Sequence, residues 1–136
     1  MTDIEIFNPE GMSAPQGAYS HVARVPPGTA LVVIAGQVAI DADGDRVGAG
    51  DFERQCSQVF DNLGAALRGA GSDWRNVVGL MTFLTRKDDI AALRTWRERE
   101  YPRLFPDGVY PPNTLLVVSA LANDDFLLEI QALAAI

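Results

Sequence analysis

A chain of 136 residues, 48% hydrophobic and 21% charged, has the size and composition of one globular domain, which excludes a disordered or fibrous architecture. Eleven Lys and Arg stand against 18 Asp and Glu, and the resulting formal charge of -7 repels a phosphate backbone, so nucleic acid is not expected as a partner. The lone Cys56 and lone His21 leave no internal disulfide and no Cys/His zinc site; no apolar run reaches the roughly 20 residues of a membrane span and Met1 to Glu10 does not read as a secretory signal, so a cytoplasmic protein without metal or cofactor is expected.

Thr29 to Ala35 is a β-branched apolar run between Pro26-Pro27-Gly28 and Gly36, and it reads as a buried strand. After Val38-Ala39-Ile40, the segment Asp41-Ala42-Asp43-Gly44-Asp45 carries the Asp-Gly signal of a tight hairpin, with a short partner strand at Arg46-Val47. From Asp51 the period changes. Phe52, Cys56, Val59, Phe60, Leu63, Ala66, Leu67 and Ala70 recur at spacings of three and four, which predicts a helix capped by Asp51 and stopped by Gly69 and Gly71. Val77 to Leu84 is a second buried strand. Thr85-Arg86-Lys87-Asp88 matches a capping box and predicts a second helix running to about Arg103 that buries Ile90, Leu93, Trp96 and Tyr101. Beyond the Pro106-Asp107-Gly108 turn, Pro111-Pro112 cannot lie within a sheet ladder, and two strands remain, Thr114 to Ala120 and Phe126 to Ala134, joined by Asn123-Asp124-Asp125.

The predicted order β, β, α, β, α, β, β makes residues 1–136 one α+β domain, a sheet with two helices packed on one face. The apolar runs imply that the second face is covered too, and a chain of this size has no third layer of its own, so a homo-oligomer is expected.

Gly44, Gly48 and Gly50 follow a hairpin and do not match a phosphate loop or dinucleotide fingerprint, and no Gly-x-Ser-x-Gly elbow exists. Cys56 falls on the buried face of the first helix, where a thiol is an inert small hydrophobe. Trp74 and Trp96 read as packing anchors. Polar residues at strand ends or inside apolar runs are the candidates for function: Tyr19, His21, Gln37, Asn113, Thr114 and Glu129. Strand alternation puts Glu129 on one face with Leu127 and Gln131, opposite Leu128 and Ile130. A carboxylate there is either a base near a subunit seam or a solvated sheet residue. His21, in a loop leading into a strand, is either a surface or packing residue or a base.

Taken together, Ala14-Pro15-Gln16-Gly17-Ala18-Tyr19-Ser20, Ala35-Gly36-Gln37, the helix between Gly50 and Gly71, Val77 to Leu84 and Leu128-Glu129-Ile130-Gln131-Ala132 closely resemble the Rid (YjgF-like) family of reactive-intermediate deaminases over nearly the whole chain. The resemblance implies a chorismate-mutase-like α+β fold and a homotrimer whose sheets pack into a barrel-like centre, with a small-molecule cleft at each subunit interface. It also implies cofactor-free hydrolysis of 2-imino or 2-aminoacrylate-type acids to 2-oxo acids and ammonia, in which an arginine after a Pro-Ala pair grips the substrate carboxylate. Aligning Pro111-Pro112-Asn113-Thr114 with that motif puts Asn113 at the arginine position, Glu129 on the water-orienting glutamate and Tyr19 on the cleft tyrosine. Ala35 in place of a serine, Leu115 in place of a cysteine and His21 in place of a glutamine are further departures, similar to divergent Rid subgroups that lack the arginine. Without a charged donor, binding of a small imino acid is expected to weaken by about 2–5 kcal/mol in a desolvated cleft.

Three functions follow. The first is a hydrolase or tautomerase acting on a different small enamine, imine or carbonyl compound, with Glu129, Tyr19 and His21 as catalytic residues and Asn113, Thr114 and Gln37 holding the substrate. The second is a binding module for a small ligand or a protein partner, without turnover. In the third, a 2-iminopropanoate or 2-iminobutanoate deaminase persists with a substitute cation, for which Arg24 is the candidate. An RNA-cleaving role, an old label of the family, is opposed by the charge of -7.

Overall fold

In the computed structural model, which describes residues 3–136, the chain begins with two short antiparallel strands, β1 (Glu5–Phe7) and β2 (Val22–Arg24), paired with Ile6 opposite Ala23. Neither is in the sequence-based order, because three residues are too few to display a period of two. Strand β3 (Leu31–Gln37) follows, displaced two residues from its expected start. The hairpin after it contracts to one bridge, Ile40 to Arg46, since the Asp41 carboxylate takes the amides of Asp43 and Asp45 at 3.0 Å and spends the loop on an Asx turn.

Helix α1 (Phe52–Gly69) starts as its sequence dictates: the Asp51 carboxylate accepts from the Arg54 amide at 3.1 Å, and Gly71 at φ +77° ends it in a conformation that suits glycine. A one-turn 3-10 segment (Trp74–Asn76) leads into β4 (Val77–Leu84), and α2 (Asp89–Leu104) comes next. The expected capping box at Thr85 does not form. The Thr85 amide instead donates to the Leu127 carbonyl at 3.2 Å, extending the sheet, and the helix begins four residues later with Arg86 gripping Asp89. Strand β5 (Asn113–Val117) is three residues shorter than expected at its far end, and β6 (Leu128–Ala135) starts after the turn that Asn123 organises.

The four-stranded sheet has the order β3-β6-β4-β5. Because β6 is antiparallel to both β3 and β4 while β5 is parallel to β4, three strands run one way and β6 alone opposes them. Each parallel relation is bridged by a helix, α1 between β3 and β4 and α2 between β4 and β5, as parallel strands require. Both helices pack on one face. There Leu80, Leu84, Leu128, Ile130 and Ala132 meet Val59, Leu63, Leu67 and Leu93, and Phe60 stacks on Trp96 with ring centroids 4.4 Å apart. The opposite face is uncovered in the single chain: Val33 is 75% exposed, Leu31 and Leu133 lie open beside it, and Leu116 lies open at the other edge of the sheet.

Gln55 ties α1 to the sheet from inside the core. Its Nε2 donates to the carbonyls of Gly48 and Asp125 at 3.0 and 2.8 Å, and its Oε1 accepts from the Leu127 amide at 2.9 Å. Gln55→Leu would orphan the Asp125 carbonyl and the Leu127 amide, while the Gly48 carbonyl keeps the Asp51 amide at 2.9 Å, so a loss of about 3 kcal/mol in urea-unfolding stability is expected. A variant as stable as the parent would mean that these groups find water instead.

Candidate functional site

A cleft of about 790 Å³ opens between the loop carrying Tyr19, the first three turns of α2 and the start of β5. That volume suits a small organic ligand. Two backbone bonds assemble its walls. The Ser20 amide donates to the Pro111 carbonyl at 3.4 Å and the Leu80 amide to the Pro112 carbonyl at 2.9 Å, so the two prolines, which cannot donate themselves, still fix the loop to the sheet. The Tyr19 hydroxyl accepts from the Gln16 amide at 3.2 Å, which leaves its proton free to donate.

Asn113 heads β5 in register with Leu80, so its side chain lies on the helix-covered face of the sheet. Its Oδ1 accepts from the Thr82 hydroxyl at 2.8 Å and from Nη2 of Arg97 at 3.5 Å, while Arg97 Nη2 also donates to Thr82 Oγ1 at 3.2 Å. A guanidinium can only donate, so this chain from Arg97 through Thr82 to Asn113 turns the amide nitrogen of Asn113 away from the arginine. Arg97 is 8% exposed, its Nε has no partner, and its guanidinium sits 5.4 Å from the Tyr101 ring. No carboxylate pairs with it among the described residues. Burial pushes the Tyr101 phenol above its ordinary range, against the pull of the Arg97 charge.

Glu129 is elsewhere. In β6 it is in register with Phe83 and alternates with the buried Leu128 and Ile130, which puts it on the uncovered face. Its carboxylate lies over Gly36, where any Cβ would overlap it, and a bulge between Ile34 and Gln37 in the β3–β6 pairing makes that close approach possible. Gln37 turns its amide back onto the Ala35 carbonyl at 3.1 Å. Thr114 alternates with Asn113, so it shares the face of Glu129, opposite Met81, while also bordering the cleft.

Of the residues singled out from sequence, Tyr19, Asn113 and Thr114 meet at the cleft, Glu129 lies behind the sheet, and Gln37, in register with Ile130 beyond the bulge, does not line the cleft. His21 packs edge-on against Tyr19 with centroids 5.8 Å apart, but its Nε2 lies 2.7 Å from the Ser13 carbonyl and its amide donates to Asn8, so it ties down the preceding loop. A carbonyl only accepts, so Nε2 donates in this contact. Arg24 is paired with Glu5 at 3.2 Å on the exposed β1–β2 ribbon and does not line the cleft. Arg97 is the residue that sequence reading missed. The signal was its spacing, since Leu93, Arg97 and Tyr101 recur every four residues on the face that packs inward.

Cys56 is fully buried in the same layer, and burial pushes its thiol up to about 12 against the opposing pull of Arg97. Iodoacetamide at pH 8 is therefore expected to leave the native protein unmodified and to alkylate it only in denaturant. Rapid native labelling would contradict an inert core thiol.

Comparison with known proteins agrees with the fold. A family model described as Endoribonuclease L-PSP matches residues 11–136. A RutC family protein of Synechocystis sp. is 33% identical over 134 residues, covering 98% of this chain and 97% of that one. The 2-iminobutanoate/2-iminopropanoate deaminase of Mus musculus is 28% identical over 118 residues, 87% of this chain and 81% of its own. The crystal structure of YyfB from Yersinia pestis, a protein of unknown function of the conserved Rid family, superposes with a TM-score of 0.84 at 33% identity, over 98% of this chain and 99% of that one. With its two helices on one face of a β3-β6-β4-β5 sheet and a family match over nearly its full length, the chain belongs to the YjgF/Rid family.

Proposed function

We propose that the protein is a homotrimer that hydrolyses or tautomerises a small enamine, imine or carbonyl compound in clefts between its subunits, and that it is not an efficient 2-imino acid deaminase. The observation that carries this reading is the state of Asn113. It offers a neutral amide nitrogen where an acid clamp needs charge, and its oxygen is already held by Thr82 and Arg97. Charge-assisted bonds are roughly twice as strong as neutral ones, so a three-carbon acid with little other surface to bind loses its main anchor.

The trimer is supported by the uncovered apolar face and by the positions of the polar groups. In one chain Asn113 and Glu129 are on opposite faces of the sheet, and a shared cleft requires one subunit's Asn113 to meet a neighbour's Glu129. In such a cleft water adds to the C=N carbon as Glu129 takes its proton. The nitrogen then takes up the proton held by Glu129 and, as the C–N bond breaks, the proton of the new hydroxyl, giving a carbonyl product and ammonia and returning Glu129 to its carboxylate. Tyr19 and the Asn113 amide would donate to the substrate's polar atoms, and His21, through its edge contact, would position Tyr19.

The test generates 2-iminopropanoate in place with an amino-acid oxidase and follows ammonia release. Little acceleration over the uncatalysed rate is expected from the unaltered protein, with larger imines turned over in a manner that Glu129→Gln abolishes. Fast turnover of 2-iminopropanoate by the unaltered protein would sink the claim made for Asn113.

A further inference from the structure

We infer that Arg97 is the acid-binding residue of the cleft, and that the ligand it takes is a small monocarboxylate with a flat or branched apolar body. For turnover this rests on the proposed function, whose substrate class it names; the binding itself needs only the single chain. A charge removed from water is costly unless it is paired, and Arg97 is more than nine-tenths buried with no carboxylate bound to it. What it has instead are two neutral oxygens on one nitrogen, Thr82 Oγ1 at 3.2 Å and Asn113 Oδ1 at 3.5 Å, and the face of Tyr101. Of its five donors, Nη2 alone is engaged, Nε is sealed away from solvent, and Nη1 makes no hydrogen bond among the described residues.

Arg97 lines the 790 Å³ cavity, and so does Asn113, whose amide nitrogen is directed away from the arginine. A carboxylate entering there can take one oxygen to the guanidinium and one to that amide. Ile90, Leu93, Leu115 and the ring of Tyr110 supply the apolar part of the wall, and Arg94 and Glu98 add one charge of each sign to it. The apolar part calls for an aromatic or branched body behind the acid group.

The experiment is a pair of titrations on the full chain, with benzoate and with its neutral isostere benzamide, read by calorimetry and by methyl shifts of Ile90, Leu93 and Leu115. Benzoate is expected to saturate and move those methyls, with benzamide at least about tenfold weaker. Arg97→Gln is expected to weaken benzoate about tenfold or more while leaving benzamide unchanged, and Arg97→Lys to recover part of the loss. Equal affinity for the two probes, benzoate binding unaffected by Arg97→Gln, or no methyl shifts at tens of millimolar benzoate would each overturn the inference. Should Arg97→Gln fail to fold, the comparison of benzoate with benzamide on the unaltered protein decides by itself. Glu129→Gln keeps the two claims separate. It is expected to bind benzoate normally and lose turnover, so failure of the catalytic reading leaves the binding reading standing, and the reverse.

Discussion

Asn113→Arg is expected to raise ammonia release from 2-iminopropanoate by at least about 30-fold over the unaltered protein. The estimate follows from the difference between a charged and a neutral donor in a desolvated site, about 2–5 kcal/mol, which corresponds to roughly 30- to 5,000-fold. The lower end is expected because the new guanidinium must share the neighbourhood with Arg97, which now donates to the Asn113 oxygen. Repulsion between the two cations pushes the longer side chain toward the cleft mouth, where an acid clamp is useful, and Thr82 remains to hold Arg97. Adding Glu129→Gln to the variant should remove about 100-fold or more of the gained rate, if Glu129 moves the proton of the attacking water. If the single variant is no faster than the parent and remains folded, residue 113 is not what limits acid turnover.

What the sequence discloses and what it hides divides along the reach of the interactions. Helix α1 was legible from Asp51 to Gly71 because its cap, its buried face and its stop are all local. The face of Glu129 was legible for the same reason: alternation with Leu128 and Ile130 needs no partner strand. The start of α2 was not, because the Thr85 amide is claimed by the Leu127 carbonyl, 42 positions away, before it can serve a helix. Arg97 was hidden more deeply. Its spacing from Leu93 and Tyr101 signals an inward side chain, but that it meets residue 113 depends on the parallel register of β4 with β5, which sets Leu80 opposite Asn113 and Thr82 beside it. Arg24 drew attention as the substitute cation by its nearness in sequence to His21. The short β1–β2 ribbon, invisible to periodicity, gives it Glu5 instead.

Val33→Asp is expected to yield a folded monomer without turnover. In the single chain Val33 is the most exposed large hydrophobic residue among the described residues, on the uncovered face of edge strand β3 and in register with Leu133. Loss of its side chain therefore costs the isolated fold little, and far-UV circular dichroism should be unchanged. In a trimer closed over this face the same residue is buried, and each copy would bring in a carboxylate without a partner, at a cost of about 3–5 kcal/mol apiece. Light scattering should then report the chain mass of 14.7 kDa for the variant and about three times that for the parent. A parent that is itself a monomer would remove the shared cleft, and an active monomeric variant would do the same. The coupling between assembly and chemistry follows from the strand register alone: Asn113 and Glu129 occupy opposite faces of one sheet, so a chain without neighbours can hold a carboxylate at Arg97 but cannot bring its own glutamate to the other end of the molecule it holds.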